Sequence, residues 1–301
     1  MPSRRRPITV PEEFAAWRIR LDGAGGRDWI ATLPDRVEDL LDRWCLTLDG
    51  TPPLHGSQAL VLMVTRDDRR LALKVSAPQD RTTAQEAIGL RAWNGHGTVE
   101  LLADEPGTLL LERLDHTRTL HAVPLTTAAE IAGTLIRTLA IPPPPGVPAL
   151  PDVAAGIAET LKARQRKLGD PVPDRWLCEA MRYAGELPSA GAPVLIHADL
   201  HYGNILAGTR TPWLAIDPRP LAGTPEYSIP ELLWTRADDL HAPADVHHLL
   251  SVLVDTAALN PELARGWAIT RCVDYWLWGT EHGLTLDPPR TAKILSALLP
   301  L

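Results

Sequence analysis

The chain has 301 residues, 45% apolar and 22% charged, an ordinary globular composition that argues against a mostly disordered protein. Thirty Lys and Arg stand against 37 Asp and Glu, a net charge of −7. Phosphate neutralisation over a broad face needs clustered cations, so that balance argues against a nucleic-acid partner. The one basic run, Arg4-Arg5-Arg6, reads as a solvated tail. It is followed by no apolar segment of the kind a secretory signal carries, and no stretch approaches the ~20 apolar residues of a membrane helix. Cys45, Cys178 and Cys272 are far apart and odd in number, which suggests neither a disulfide framework nor a cysteine zinc site. They read as small buried apolar residues. A soluble, reduced, cytoplasmic protein with no membrane partner is expected.

In chain order, residues 59–65 and 71–75 are β-rich runs joined by Arg66-Asp67-Asp68-Arg69-Arg70, which predicts a hairpin. Residues 82 to about 93 carry helix formers with Ala84, Ile88 and Ala92 at helical spacing. Residues 99–102 and 108–111 again read as strands. Residues 141–151 contain so many prolines that neither a helix nor a central strand survives there, and a stiff connector is expected. Beyond it the pattern predicts helices at 152–168, 174–186, 228–240, 245–258 and 261–282. Between those helices, Val194-Leu195-Ile196 and Trp213-Leu214-Ala215-Ile216 are short apolar runs, each ending on a polar residue. No internal repeat is apparent. The expected class is α+β: a small sheet-rich N-lobe over residues 1–114, then a larger, mostly helical C-lobe over 115–301. Residues 190–301 hold seven Lys and Arg against twelve Asp and Glu, a net −5 that leaves only −2 for the rest. The larger lobe is therefore the one expected to meet a cation.

The segment richest in chemistry is Ile196-His197-Ala198-Asp199-Leu200-His201-Tyr202-Gly203-Asn204, followed by Ile216-Asp217-Pro218. Asp199, Asn204 and Asp217 fall in loops at strand ends, where a scaffold presents side chains without burying them. Asp199-x-x-x-x-Asn204 has the spacing of a kinase catalytic loop, in which the Asp accepts the substrate hydroxyl proton and the Asn binds metal. Asp217 stands where a second metal-binding Asp belongs. Phosphoryl transfer needs hard oxygen ligands for Mg²⁺ and a carboxylate that orients the nucleophile. Lys74 lies inside an otherwise apolar strand, so its side chain is expected to point into a cleft, and Glu86 on the next helix is placed to pair with it. Leu111-Glu112-Arg113-Leu114 ends the last strand before the helical lobe, the place for a nucleotide-binding hinge. A purely structural cap-and-turn role for the polar trio is the bland alternative. A zinc site on His197, Asp199 and His201 is another, with no further ligand cluster to complete it.

The chain resembles the aminoglycoside and hydroxyurea phosphotransferase family, antibiotic kinases of protein-kinase-like fold, and among them the streptomycin 6-kinases. The matching segments run nearly end to end. They include Arg27-Asp28-Trp29-Ile30, Asp42-Arg43-Trp44, Ala72-Leu73-Lys74, Gly89-Leu90-Arg91-Ala92-Trp93, Leu110-Leu111-Glu112-Arg113-Leu114, His197-x-Asp199-Leu200-His201-x-x-Asn204 and Trp213-Leu214-Ala215-Ile216-Asp217-Pro218. The resemblance implies a bilobal protein-kinase-like fold, ATP and Mg²⁺, and a small-molecule acceptor such as streptomycin. It makes Asp199 the catalytic base, Asn204 and Asp217 the metal ligands, Lys74 the phosphate contact and Glu86 its partner. His197 would order the catalytic loop, Glu112 and Leu114 would form the hinge, and Ser57 would lie in the phosphate turn.

Three departures stand beside the match. The family reads His-Gly-Asp where this chain has His197-Ala198-Asp199. It often has Gly-Asp-Pro, an aromatic residue and Asp where this chain has Gly223-Thr224-Pro225-Glu226-Tyr227-Ser228, and the lost Asp puts the rigidity of the catalytic loop in question. No Gly-x-Gly-x-x-Gly phosphate loop is present, the nearest candidate being His55-Gly56-Ser57-Gln58. On the substrate side, Asp274, Trp278 and Glu281 fall at i, i+4, i+7, one helical face on which carboxylates and an aromatic ring would suit a guanidinium. Asp238 and Asp239 are further acidic candidates, and an ordinary amphipathic helix is the competing reading. The expected function is ATP-dependent phosphorylation of a hydroxyl on a small cationic antibiotic, by a monomer or weak homodimer. The alternatives are a kinase for another metabolite, hydroxyurea or an amino sugar, and a degenerate kinase fold that only binds.

Overall fold

Two aspartates turn the first hairpin. In the computed structural model of the protein, which describes residues 8–77 and 80–299, Asp67 and Asp68 have φ of 48° and 62°. Left-handed backbone at both central positions makes the tight turn whose twist matches two antiparallel strands, and the short polar side chains tolerate it. The flanking strands pair from Ala59↔Ser76 to Arg66↔Arg69. The connection is thus two residues, not the five expected. The Arg4-Arg5-Arg6 run lies outside the described residues.

The chain divides into two compact units, residues 1–87 with 99–113, and residues 88–98 with 114–301. The first contains α1 (Glu12–Arg43), β1 (Thr47–Leu48), β2 (Leu54–His55), β3 (Ala59–Arg66), β4 (Arg69–Ser76), the start of α2 (Arg81–Trp93), β5 (Leu101–Glu105) and β6 (Thr108–Glu112). The strands form one antiparallel sheet in the order β1-β3-β4-β6-β5, with β2 also on β3. Strand alternation places Leu71, Leu73 and Val75 on one face, buried with Leu60, Leu62 and Val64 against Phe14, Trp29, Leu33, Val37 and Leu40 of α1. Each such buried side chain contributes ~1.5–3 kcal/mol. Ala72 and Lys74 fall on the opposite face.

Helix α1 was not predicted. Its glycines and Pro34 lower helix propensity, and in the structure they shape it instead. Gly23 leaves the helical region at φ +61°, and a Cβ on Gly26 would stand 2.5 Å from the Arg18 carbonyl oxygen. Only glycine lets the chain approach itself so closely there.

The second unit holds the end of α2, β7 (Asp115–Thr119), α3 (Leu125–Leu139), α4 (Leu150–Lys167), α5 (Asp174–Glu186), β8 (Val194–Ile196), β9 (Ile205–Ala207), β10 (Trp213–Ala215), β11 (Leu221–Gly223), α6 (Ile229–Trp234), α7 (Pro243–Ala257), α8 (Pro261–Glu281) and α9 (Asp287–Leu298). Apolar faces of α3, α6, α7, α8 and α9 bury Leu135, Leu232, Leu253, Val273 and Leu295 in a single core.

Three expectations are corrected here. The helix expected over 228–240 is a turn at Pro225–Ser228, the short helix α6 and a separate turn at Ala237–Asp239. Arg236 interrupts it at φ −125° and ψ 27°, outside the helical region, and its guanidinium donates to the Val123 carbonyl at 2.6 Å and to Asp239. Helix α4 also begins inside the proline segment, with Pro151 in its first turn, where a missing N–H is harmless. Of the three cysteines only Cys272 is buried, so the expectation for Cys45 and Cys178 does not hold. Among the described residues no helix is long and apolar enough to cross a membrane.

Candidate active site

Two short antiparallel ribbons hold the chemistry-bearing loops of the second unit. β8 pairs with β11, and β9 pairs with β10 and β7. The polar residues follow β8 and β10, where the chain cannot continue as strand: Ala198 and Asp217 are left-handed, at φ 55° and 56°. That explains the family's glycine at position 198. Alanine there carries a steric cost of ~1 kcal/mol.

His197 ties the two loops together. Its Nε2 donates to the Ile216 carbonyl at 3.0 Å, its own carbonyl accepts from the Arg219 N–H at 2.8 Å, and its ring stacks on Trp93 with centroids 6.2 Å apart. The ring is almost fully buried. Burial pushes its imidazole down to about 4, against which the nearby Asp199 carboxylate only partly works. The ring is therefore neutral at physiological pH, with its proton on Nε2. His201 is likewise engaged, its Nδ1 accepting from the Gly203 N–H at 3.1 Å. Among the described residues no group of three or more His, Cys, Asp or Glu side chains is placed to hold a metal ion, so nothing supports the zinc alternative. The burial of His197 also sets a pH dependence. An unfolded His197 takes a proton near pH 6.5 and the folded one only near 4, so the stability it contributes is present above 6.5 and lost as pH falls towards 4. The expected loss is ~3 kcal/mol. Urea unfolding of wild type and His197→Gln at pH 7 and pH 4.5 checks this, the stability difference between them shrinking at the lower pH.

Asn204 ends the turn at Tyr202–Asn204. Its Nδ2 donates to the Asp199 carbonyl at 2.9 Å, and its carbonyl accepts from the Ile216 N–H at 2.9 Å. The Asn204 amide oxygen and the Asp217 carboxylate thus come from adjoining backbone. Hard oxygen donors, few in number, suit Mg²⁺, which keeps most of its shell for water and phosphate. Asp199 carries a partly exposed carboxylate, with Arg219 Nε 3.4 Å from its Oδ2.

Sequence reasoning missed Glu231. It lies beside Asp199 and accepts from Arg271 Nη2 at 2.7 Å, while Arg271 also donates to the Tyr227 hydroxyl. The signal was one carboxylate inside the apolar run Ile229-Pro230-Glu231-Leu232-Leu233-Trp234. Thr224, a departure from the family pattern, is absorbed into the fold: it is buried and its hydroxyl accepts from Trp267 Nε1 at 3.1 Å.

In the first unit, Lys74 Nζ donates to Glu86 Oε2 at 2.7 Å and both side chains are buried. Ser57 lies exposed in the turn between β2 and β3, which Arg18 braces from Nη1 to the Ser57 carbonyl at 3.2 Å and to Gln58 at 2.9 Å. Glu112 Oε2 accepts from the Glu100 N–H at 3.2 Å, and Leu114, the first residue of the second unit's long segment, is buried.

The four substrate candidates are each engaged within the second unit, and Asp274 and Glu281 share Arg164. Asp274 accepts from Arg164 at 2.7 Å and Glu281 from Lys167 at 2.7 Å, so cations of α4 already neutralise both as a clamp between helices. Trp278 stacks between Tyr275 and His282. Asp238 pairs with Arg290, and its neighbour Asp239 with Arg236.

An antiparallel sheet with a buried Lys–Glu pair and a helical unit with His-x-Asp, Asn and a second Asp follow the plan of protein-kinase-like phosphotransferases. Residues 43–283 match the family described as aminoglycoside/hydroxyurea antibiotic resistance kinase, and the chain belongs to that family. It is 40% identical to a streptomycin 6-kinase of Streptomyces glaucescens over 300 residues, 97% of each chain. It is 39% identical to a hydroxyurea phosphotransferase of Kitasatospora aureofaciens, over 97% of this chain and 86% of that one. Its fold is that of aminoglycoside phosphotransferase APH(4)-Ia. A thermostable mutant of that enzyme in ternary complex with ADP and hygromycin B aligns with TM-score 0.62, 15% identity, 87% of this chain and 97% of that one.

Proposed function

We propose that this protein transfers the γ-phosphoryl group of ATP to a hydroxyl of a streptomycin-like aminoglycoside, as a cytoplasmic monomer or weak homodimer. The observation that carries the reading is the junction of loops in the second unit. Asp199, Asn204 and Asp217 are locked to one another through His197–Ile216 and Asn204–Ile216. In this reading Asp199 holds the acceptor hydroxyl and takes its proton as the new O–P bond forms and the bond to the bridging oxygen breaks, releasing ADP. Asn204 and Asp217 would hold Mg²⁺, which when bound offsets the charge of the triphosphate. Lys74, oriented by Glu86, contacts the α and β phosphates. Ser57 in its turn, with Glu112 and Leu114 at the strand exit, would contact the rest of the nucleotide.

A hydroxyurea acceptor is the second reading, favoured by the nearly equal identity to the hydroxyurea phosphotransferase. A coupled ADP-release assay with Mg·ATP and a panel of streptomycin, other aminoglycosides, amino sugars and hydroxyurea separates the two. Saturable turnover is expected with streptomycin. Turnover on hydroxyurea alone would replace the acceptor and keep the chemistry. Nucleotide binding with silence on every acceptor would favour a binding module.

A further inference from the structure

Glu231 is the one charged residue in the helix Ile229–Trp234, and its side chain is only 13% exposed. Its Oε1 accepts from Arg271 at 2.7 Å. Arg271 is itself fixed, donating to the Tyr227 hydroxyl and lying over the rings of Tyr227 and Trp234 at 4.7 and 5.8 Å. The other oxygen, Oε2, is buried and receives no protein N–H or O–H. The Glu231 carboxyl neighbours that of Asp199, within side-chain hydrogen-bonding reach; with Oε1 held by Arg271, Oε2 is the oxygen left to meet it. Two carboxylates only accept, so they bond to one another only when a proton lies between them. Of the pair, Glu231 is the more buried, its side chain 13% exposed against 27% for Asp199, which puts the proton on Glu231. Burial first, and then Asp199, raise the Glu231 carboxyl to about 8, with Arg271 and Arg219 opposing. Tyr227 and Tyr275 are the remaining titratable groups that sense it.

We propose that Glu231 is a positioning residue for Asp199: anchored to Arg271 through Oε1, it donates a proton from Oε2 to the Asp199 carboxylate and fixes the orientation in which that carboxylate meets the acceptor hydroxyl. The proposal rests on Asp199 as the base. It requires the hydrogen bond to be lost when Glu231 ionises, so turnover falls on the alkaline side.

The test is kcat and KM for ATP and acceptor, from pH 6 to 9.5, in wild type, Glu231→Gln and Glu231→Leu, with melting curves to establish folding. The Gln amide donates at every pH and still accepts from Arg271. Glu231→Gln is expected to keep kcat within about 3-fold at pH 7 and to lose the alkaline fall centred near pH 8 that wild type shows. Glu231→Leu is expected to lose kcat by about 10-fold or more at every pH, with KM for ATP nearly unchanged. An alkaline fall in Glu231→Gln identical to that of wild type would overturn the proposal, as would a folded Glu231→Leu with wild-type kcat. If Glu231→Leu does not fold, the Gln profile decides alone. Wild-type turnover in Asp199→Ala would instead remove the underlying assignment of the base.

Discussion

Asp199→Ala is expected to lower kcat by ~10³-fold or more while nucleotide affinity stays within a few-fold. Among the described residues, the other titratable groups beside the loop are engaged elsewhere, Asp217 as the proposed metal ligand. The His201 imidazole is pushed down by burial and already accepts from Gly203, His197 is buried with its Nε2 proton on Ile216, and Glu231 holds its own proton. The side chain of Asp199 is partly exposed and its one ion pair, with Arg219 at 3.4 Å, is long. Its removal should therefore leave the fold intact, since such pairs contribute ~0–1 kcal/mol. Asp199→Asn sharpens the test, because the amide keeps the shape and loses the base. Steady-state kinetics with calorimetric titration of ADP distinguish lost chemistry from lost binding. Wild-type turnover in either variant would dismiss Asp199 as the base.

Lys74→Met is expected to cost ~10²–10³-fold in kcat/KM for ATP. The reasoning begins with the strand. Lys74 pairs with Val61 and Leu109 in the middle of the sheet, and alternation turns it away from the core that Leu73 and Val75 enter. A cation held in such a place needs a partner, and Glu86 supplies it at 2.7 Å. Removing one member of a buried pair costs ~3–5 kcal/mol by stranding the other. Lost stability and lost phosphate contact would therefore be confounded in the single variant. Lys74→Met combined with Glu86→Leu separates them: the double variant should regain much of the lost stability and none of the activity. Recovery of activity along with stability would make the pair a purely structural element.

Much of the second unit was legible because its signals are local. Residues 174–186 and 261–282 carry helical spacing between proline or asparagine starts, and the structure ends them within a residue of expectation. The His-x-Asp and Asn spacing is likewise a property of eight consecutive residues. What escaped depends on neighbours. Helix α3 contains four threonines and a glycine that lower its propensity, yet it forms because Leu135, Ile136 and Leu139 are buried in the core. Strand β7, Asp-His-Thr-Arg-Thr, has no apolar alternation and exists only as the partner of β9. The surroundings of the substrate candidates were hidden for the same reason. Spacing places Asp274 and Glu281 on one helical face but does not reveal that Arg164 and Lys167 of another helix already occupy them. Glu231 shows the converse, a residue whose importance appears only once Arg271 and Asp199 are beside it.

The most direct test of the account is the fate of the acceptor. Streptomycin incubated with Mg·ATP and the wild-type protein, then analysed by mass spectrometry, should gain one phosphoryl group at a hydroxyl in proportion to ADP formed, and gain none with Asp199→Ala. Release of ADP with streptomycin unchanged would contradict phosphoryl transfer to this acceptor, and phosphorylated streptomycin from the Asp199→Ala protein would contradict the assignment of the base.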